Sequence, residues 1–420
     1  MSRNDIIVGV DMGSSNIRTV IAQIFPEEEM PRIIGVGIAE SAGIRKGVIV
    51  DLEEALNSVR ESKEKAEMNC GLKIDHAIVS LGGSQITSQN SKGVVAIGRA
   101  DGEVTEDDVM RVINAAQAIS VPPNKEIIHV IARSYSLDDQ KNIKDPLGMN
   151  GVRLEADTMI IEGSTPYVRN LAKCFEQTDI EMDDFVLVPL AASKAVLSKR
   201  QKELGVILID IGGGTTSIAV FEENDLLHTS ILPIGGNNIT NDIAIGLRTS
   251  IEVAEKVKLE YGSALPSEVS KKEDINLAEI DANEEGLVSR HHVAEIIEAR
   301  LEEIFSMVNK ELKIIGRDKL LPAGIILTGG TAKISGSVDL AKNILALPAQ
   351  TGFPLQMGGL VDKIDDPAFA TVAGLILWGL ENSTSGKRGS GTGNRIVGNI
   401  STSIGSSVES MKRWLGKFLP

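Results

Sequence analysis

The sequence predicts a two-lobed α/β protein, with a small α+β subdomain inserted in the first lobe and a short amphipathic helix after a flexible linker. A buried strand, a glycine turn and a second strand rich in β-branched residues occur twice, at 6–24 and 205–221. Helical patterns follow each of these hairpins. Such an internal duplication predicts two similar lobes, each with its own sheet.

Length, net charge, cysteine content and the absence of long apolar runs limit the kinds of protein that this sequence can encode. The chain has 420 residues, enough for two or three domains, and a net charge of −15, which argues against nucleic acid as a partner. Its two cysteines, Cys70 and Cys174, have no metal-ligand spacing and are predicted to be free thiols. The N-terminus lacks a signal peptide, and no apolar run reaches the ~18 residues of a membrane span, so we expect a cytoplasmic protein.

In the first half, the strands of the hairpin 6–24 precede an amphipathic helix over 51–71 and a strand over 75–83. Thr105 and Asp108 form a capping signal before a further helix, and strands at 127–139 and 152–163 flank the loop 144–151. Helices are predicted over 167–177 and 189–200. The change of pattern over 86–162 predicts the inserted subdomain.

The second half repeats the theme. After the hairpin 205–221, the sequence predicts a strand, two helices, an irregular stretch and a long helix, at 228–236, 238–262, 263–290 and 291–316. A strand and two helices follow, at 323–330, 337–347 and 368–380. The domain boundaries expected from this pattern are lobe 1 core 1–85, 163–203 and 357–381; inserted subdomain 86–162; lobe 2 core 204–240 and 298–356; lobe 2 small subdomain 241–297; linker 382–402; terminal helix 403–420.

Three glycine turns carry the predicted chemistry. Glycine backbone can approach a phosphate closely, and its N–H groups then serve as donors. Asp11 and Asp210 end the first strand of each hairpin, where a carboxylate can order Mg²⁺ through its waters. A third glycine turn lies at 327–331. One such turn is most often an ordinary hairpin, but two at corresponding places in similar halves, together with the third after an apolar strand, favour a clamp for a polyphosphate.

This combination resembles the actin superfamily, in which two phosphate loops and an adenosine loop bind Mg-ATP. Asp11, Gly13 and Ser14 fall on the first phosphate motif, Asp210 with 212–215 on the second, and Gly329 with Gly330 on the adenosine motif. The stretches 188–197 and 370–379 resemble its two connecting helices. Val188 and Ser217 replace residues associated with hydrolysis in that superfamily, so the resemblance implies at most a slow ATPase.

The match is tighter with the bacterial cell-division actin-like family FtsA, which carries an inserted subdomain of the 1C type. The stretches 43–56, 144–157 and 234–250 carry this resemblance, which runs from Ile6 to Leu380. It implies ATP and Mg²⁺ as ligands. The implied site residues are Asp11, Gly13, Ser14, Ser15, Asn16, Arg18, Asp210, Gly212, Gly213, Gly214, Thr215, Thr216, Gly235, Gly236, Glu252, Glu255, Lys258, Gly329, Gly330 and Thr331, with Mg²⁺ held through water near Asp11 and Asp210.

The same resemblance implies partners and a location. A family member polymerises with itself, links the tubulin-like protein FtsZ to the inner face of the cell membrane at the division site, and recruits later division proteins. We expect the C-terminal peptide of FtsZ to dock on the region 241–300. Two alternatives are a related actin-like adaptor of type IV pilus assembly and a small-molecule kinase of the same superfamily. The terminal helix argues against both.

The terminal helix is predicted from its own periodicity. Residues 387–420 carry six basic side chains against one acidic one, on an otherwise acidic chain. At ~100° per residue, apolar side chains share one face and cations lie opposite, as in an interfacial membrane helix. Docking on the chain's own body or in a partner's groove are the alternatives. The implied membrane-binding residues are Val408, Met411, Lys412, Arg413, Trp414, Leu415, Lys417, Phe418 and Leu419.

Overall fold

The computed structural model of the chain describes residues 5–118, 121–355 and 357–385. They form two compact units. The larger unit contains Ile6–Ile86 and Pro166–Ile376, and the smaller contains Thr87–Thr165 with the described chain from Leu377 onward. The predicted terminal helix and its membrane-binding residues lie outside the described residues.

The strands are numbered in chain order. They are β1 (Ile6–Met12), β2 (Asn16–Gln23), β3 (Arg32–Glu40), β4 (Ile44–Arg45), β5 (Val48–Ile49), β6 (His76–Leu81), β7 (Thr87–Ala96), β8 (Lys125–Leu137), β9 (Gln140–Ile143), β10 (Arg153–Ser164), β11 (Glu181–Leu187), β12 (Val206–Ile211), β13 (Thr216–Glu222), β14 (Asp225–Leu232), β15 (Asp274–Asn276), β16 (Leu287–Ser289), β17 (Gly324–Thr328), β18 (Ala349–Thr351) and β19 (Gly358–Gly359).

The α-helices follow the same convention. They are α1 (Leu52–Cys70), α2 (Glu106–Gln117), α3 (Thr165–Glu176), α4 (Val188–Val196), α5 (Lys199–Leu204), α6 (Gly236–Leu247), α7 (Ile251–Tyr261), α8 (Leu277–Ile280), α9 (Arg290–Ile314), α10 (Ser337–Leu345) and α11 (Ala370–Ser385).

Two sheets organise the larger unit. The first has the strand order β11-β6-β1-β2-β3-β19, and the second has the order β14-β13-β12-β17-β18. β1 pairs in parallel with β6, and β12 in parallel with β17, so the carboxyl ends of these strands share one edge. In the hairpins, Asp11 lies opposite Arg18 and Asp210 opposite Ser217. The predicted duplication therefore presents one buried aspartate at the edge of each sheet.

The smaller unit is an antiparallel sheet, β7-β10-β8-β9, covered on one face by α2. Val112 and Ile113 of α2 pack with Leu154 and Ile160 of β10 in a single apolar cluster. The predicted capping signal is confirmed, because the Thr105 side chain accepts from the Asp108 N–H and the Asp108 carboxylate accepts from the Thr105 N–H. This unit is the predicted inserted α+β subdomain.

The structure differs from the sequence predictions at several places, among them the following. The helix predicted over 189–200 is two helices, because Ser198 and Gln201 form a capping box that starts α5. β7 was not predicted, since its residues 87–92 are polar on both faces. α11 continues to Ser385, so residues 382–385 of the predicted linker are helical. A buried helix adds such polar residues readily, because propagation is easier than nucleation.

The two predicted connecting helices, α4 and α11, touch at a glycine. A Cβ atom on Gly374 would lie 1.8 Å from the carbonyl oxygen of Ala191, so the backbones meet with no room for a side chain. Both helices are apolar and buried at this crossing. In the part of the chain that the structure describes, no helix combines the length and apolar character of a membrane span. Cys70 and Cys174 are free thiols.

Candidate nucleotide site

The first glycine turn joins β1 to β2 at Gly13–Ser15. A Cβ atom on Gly13 would lie 2.5 Å from the carbonyl oxygen of Asn16, so this tight turn requires glycine. The Ser14 hydroxyl accepts a hydrogen bond from the Gly47 N–H at 2.8 Å. The Ser15 hydroxyl donates to the Asn237 amide oxygen at 2.9 Å, which links this turn to the second half of the chain.

Asp11 is buried at the end of β1 and is held by Ser80. The Ser80 hydroxyl donates to Oδ1 of Asp11 at 2.8 Å and accepts from the Met12 N–H at 2.8 Å. Burial raises the pKa of Asp11, and the positive charge of Arg18 and the Ser80 hydrogen bond oppose that rise. The Arg18 guanidinium lies over the ring of Phe369, 5.4 Å from its centre, and its Nε is buried without a partner among the described residues.

The second glycine turn joins β12 to β13 and lies against the first. A Cβ atom on Gly213 would lie 1.9 Å from the Ser15 hydroxyl oxygen, and one on Gly214 would lie 2.7 Å from that of Ser14. Neither glycine has a positive φ, so close approach is the reason for glycine here. Gly212 donates its N–H to the carbonyl of Thr215 at 2.9 Å, which closes the turn.

The contact between these turns leaves backbone donors without partners. Among the described residues, the N–H groups of Ser14, Ser15, Gly213 and Gly214 donate to no protein group. Neighbouring N–H groups in a turn form a nest for an anion. The two turns can therefore bind a phosphate chain at the place where they meet.

Asp210 is buried at the end of β12. Burial raises its pKa to about 7, and the negative charge of Asp11 raises it further, against the Thr371 hydrogen bond and the Arg18 charge. The Thr371 hydroxyl donates to Oδ2 of Asp210 at 3.2 Å. The two carboxylates are thus close enough to repel each other, and a cation between them would relieve that repulsion.

The residues suit a hydrated magnesium ion better than a bare one. No group of three or more potential metal ligands occurs among the described residues, so a cage of direct protein ligands is not formed there. Mg²⁺ usually keeps several waters and binds through one or two carboxylates and substrate phosphates. Asp11 and Asp210 supply the two carboxylates that this arrangement needs.

The third turn and the start of α6 converge on Gly212. The carbonyl of Gly212 accepts from the Gly236 N–H at 2.9 Å and from the Thr331 hydroxyl at 3.2 Å. Gly329 has a φ of 86°, and a Cβ atom on it would lie 2.3 Å from Oδ1 of Asp210. All three glycine turns predicted from the sequence therefore meet in one place.

Two of the three predicted site residues on helix α7, Glu255 and Lys258, lie close to the start of α6 and the glycine turns. The buried Lys258 ammonium donates to the Thr240 hydroxyl at 2.8 Å, to Glu255 at 2.6 Å and to the Gly236 carbonyl at 3.4 Å. Glu255 also accepts from Thr240. Glu252 lies exposed in the first turn of α7.

The remaining predicted site residues contact other parts of the protein. Asn16 begins β2, opposite Glu40 of β3, and the Thr216 hydroxyl donates to the Ile234 carbonyl at 2.8 Å. Gly235 precedes α6, and a Cβ atom on it would lie 2.6 Å from the Gly212 carbonyl oxygen. Gly330 begins the single 3₁₀ turn after Gly329.

Several residues at the site were missed from the sequence. Ser80 and Thr371 hold the two aspartates, Asn237 joins the two turns, and Thr240 pairs with Lys258. Each comes from a strand end or helix distant in the sequence, and a lone Ser, Thr or Asn has no local signature. Val188 begins α4 with its side chain near Gly82, and Ser217 is buried opposite Asp210.

The chain matches known families along most of its length. Residues 207–374 match the family model described as "Cell division protein FtsA", and residues 83–162 match "SHS2 domain inserted in FTSA". The chain is 37% identical over 410 residues to the cell division protein FtsA of Pseudomonas aeruginosa, covering 98% of this chain and 97% of the relative. It is 41% identical over 383 residues to that of Bacillus subtilis, covering 91% and 85%.

Solved structures confirm the actin-like fold. The chain matches the PilM–PilN type IV pilus biogenesis complex with a TM-score of 0.64 at 16% identity, covering 89% of this chain and 98% of that one. It matches MreB5 of Spiroplasma citri, there bound to ADP, with a TM-score of 0.53 at 14% identity, covering 91% and 99%. At such identities these neighbours show the fold alone.

Proposed function

Because the chain belongs to the FtsA family of cell-division proteins, we propose that it is an ATP-binding, polymerising adaptor that tethers the FtsZ ring to the cytoplasmic membrane. The main support for nucleotide binding is that, among the described residues, four N–H groups where the first two glycine turns meet donate to no protein group. The other parts rest on family membership and on the pattern of the terminal sequence.

ATP occupies the meeting point of the turns in this proposal. The N–H groups of Ser14, Ser15, Gly213 and Gly214 and the hydroxyls nearby bind the phosphates. Asp11 and Asp210 hold the waters of Mg²⁺, which neutralises the phosphate charge. Lys258 and Glu255, together at Gly236, face the ribose and base. ADP bound to the fold neighbour MreB5 supports a nucleotide as the ligand.

Hydrolysis of ATP is slow in this proposal. Phosphoryl transfer to water needs a side chain that orients the attacking water. The superfamily positions associated with that role carry Val188, which has no polar side chain, and Ser217, whose hydroxyl is buried. ATP therefore acts mainly by occupancy, which favours the polymer.

The terminal helix (403–420) anchors the polymer on the membrane. Its cations contribute ~1 kcal/mol each near an anionic leaflet, which is too little for one short helix to bind firmly. A polymer presents many terminal helices at once, so the anchor becomes stable by avidity. On the membrane, the chain then recruits later division proteins.

The C-terminal peptide of FtsZ docks on the region 241–300. This region exposes several large apolar side chains on the larger unit, Ile245, Ile251, Leu259 and Leu287. These exposed side chains are available for contact with apolar residues of the FtsZ peptide.

Co-sedimentation of purified FtsZ with anionic vesicles tests the adaptor function. We expect FtsZ to pellet only when the chain and ATP are present, and Ile245→Ser to abolish this while the variant itself still pellets. Ile314→Ser is a matched control, since Ile245 and Ile314 are 77% and 74% exposed and only the first lies in 241–300. FtsZ that stays in the supernatant with the wild-type chain, or a control that fails equally, contradicts the proposal.

A further inference from the structure

A short hairpin beside the site, β4–β5, turns at a strained lysine. Lys46 and Gly47 have φ values of 50° and 73°, as in a two-residue turn with both central residues left-handed. The first of these positions usually carries Asn, Asp or Gly, because a long side chain is strained at positive φ. Strained residues persist where their surroundings fix them, and they cluster at ligand sites.

The tip of this hairpin contacts both phosphate turns. The Gly47 N–H donates to the Ser14 hydroxyl at 2.8 Å. A Cβ atom on Gly214 would lie 3.0 Å from the Lys46 backbone nitrogen, and one on Gly47 would lie 2.7 Å from the backbone nitrogen of Gly83. The tip is therefore fixed between the two turns and the end of β6, and the position of the Lys46 backbone is well defined.

The Lys46 ammonium is available for a ligand. Lys46 is exposed, and its side chain makes no hydrogen bond or ion pair within the described ranges of the chain. The nest that it adjoins consists of N–H groups and hydroxyls, which carry no net charge. Arg18, the cation on the first hairpin, lies opposite Asp11 and over Phe369.

We propose that Lys46 binds the terminal phosphate of the nucleoside triphosphate and so distinguishes triphosphate from diphosphate. This inference rests on the proposed nucleotide site. A diphosphate lacks the last phosphate group and its charge, and a lysine ammonium acts on such a group as a compact point charge on a flexible stem. The hairpin β4–β5 then lines the site together with the two phosphate turns.

Calorimetric titration of the full chain with Mg-ATP and Mg-ADP tests this role. Lys46→Gly removes the charge and accepts the positive φ without strain, so the variant should fold at least as well as the wild type. We expect it to weaken ATP about ten-fold, the effect of one hydrogen bond to a charged group, and to leave ADP affinity within a factor of about two. Lys46→Arg keeps the charge and should retain most of the ATP preference.

Arg45→Ala is the matched control, because it removes the same charge one residue away, from strand β4 instead of the tip. The proposal is overturned if Lys46→Gly weakens ATP and ADP equally, if it changes neither, or if Arg45→Ala has the same effect on ATP. A wild-type chain that binds neither nucleotide overturns the proposed nucleotide site itself, and Lys46 with it. A wild-type chain that binds both nucleotides, with the loss confined to ATP and to Lys46→Gly, supports the role of Lys46.

Discussion

Gly329→Ala probes the point where the third glycine turn meets the buried aspartate. Gly329 has a φ of 86°, and its added Cβ atom would lie 2.3 Å from Oδ1 of Asp210 and 2.6 Å from the carbonyl oxygen of Ile211. The first neighbour is a carboxylate that the proposed magnesium site needs. The second is backbone of the central strand β12, which cannot move away on its own.

Two costs add at this position. A non-glycine residue at positive φ costs about 1–2 kcal/mol, and overpacking a dense interior costs about 1–3 kcal/mol. We therefore expect Gly329→Ala to lower the free energy of unfolding by roughly 2–5 kcal/mol. Displacement of Asp210 should also weaken Mg-ATP binding, as measured by calorimetry.

Two other glycines serve as controls in urea unfolding followed by circular dichroism. Gly71 has a φ of 70° and nothing within 4 Å of its added Cβ atom, so Gly71→Ala reports the conformational cost alone. Gly330 has no positive φ, and its nearest neighbour would be the Ala368 Cβ at 3.9 Å, so Gly330→Ala should change stability by less than ~0.5 kcal/mol. A Gly329→Ala variant as stable as Gly330→Ala, with unchanged ATP affinity, would refute this reasoning.

Three further changes test other contacts. The folded pKa of Asp210, about 7, exceeds its ordinary value of 3.8, so the free energy of unfolding of the nucleotide-free chain should fall as pH rises through this interval. Asp210→Asn should reduce the difference in free energy of unfolding between about pH 5 and about pH 8, as measured by urea unfolding. The same difference in the variant and the wild type would contradict the assignment. Gly374→Ala should lower stability by about 1–3 kcal/mol or more, because its Cβ atom would meet the Ala191 carbonyl, and an unaltered melting temperature would show that the helices separate freely. Lys258→Met should weaken ATP roughly ten-fold in a nucleotide titration by removing the partner of Glu255, and full affinity would exclude Lys258 from the site.

The hairpins and their aspartates were predictable because their signals are local. A run of apolar residues, an aspartate and consecutive glycines specify a buried strand and a close turn within about ten residues. Gly213 and Gly214 are glycines because Ser15 and Ser14 of the other hairpin lie against them, and the repeat of the pattern already predicted such facing turns. The distance between the two turns, however, depends on tertiary packing.

The groups that hold the aspartates were not predictable. Ser80 lies 69 residues from Asp11, and Thr371 lies 161 residues from Asp210. The strand β7 was missed for a related reason, since pairing with β10 over its whole length stabilises a segment whose own residues are largely polar. Contacts between side chains that are far apart in the sequence depend on the whole fold, and local strand and helix patterns do not predict them.

Co-sedimentation with anionic vesicles tests most directly whether the chain is an ATP-dependent membrane tether. The full chain is compared with a version that ends at Ser385, each with and without Mg-ATP. We predict that only the full chain pellets and that Mg-ATP increases its pelleting, because a polymer engages many terminal helices at once. Equal pelleting of the truncated chain, or no pelleting of either, would contradict the tether.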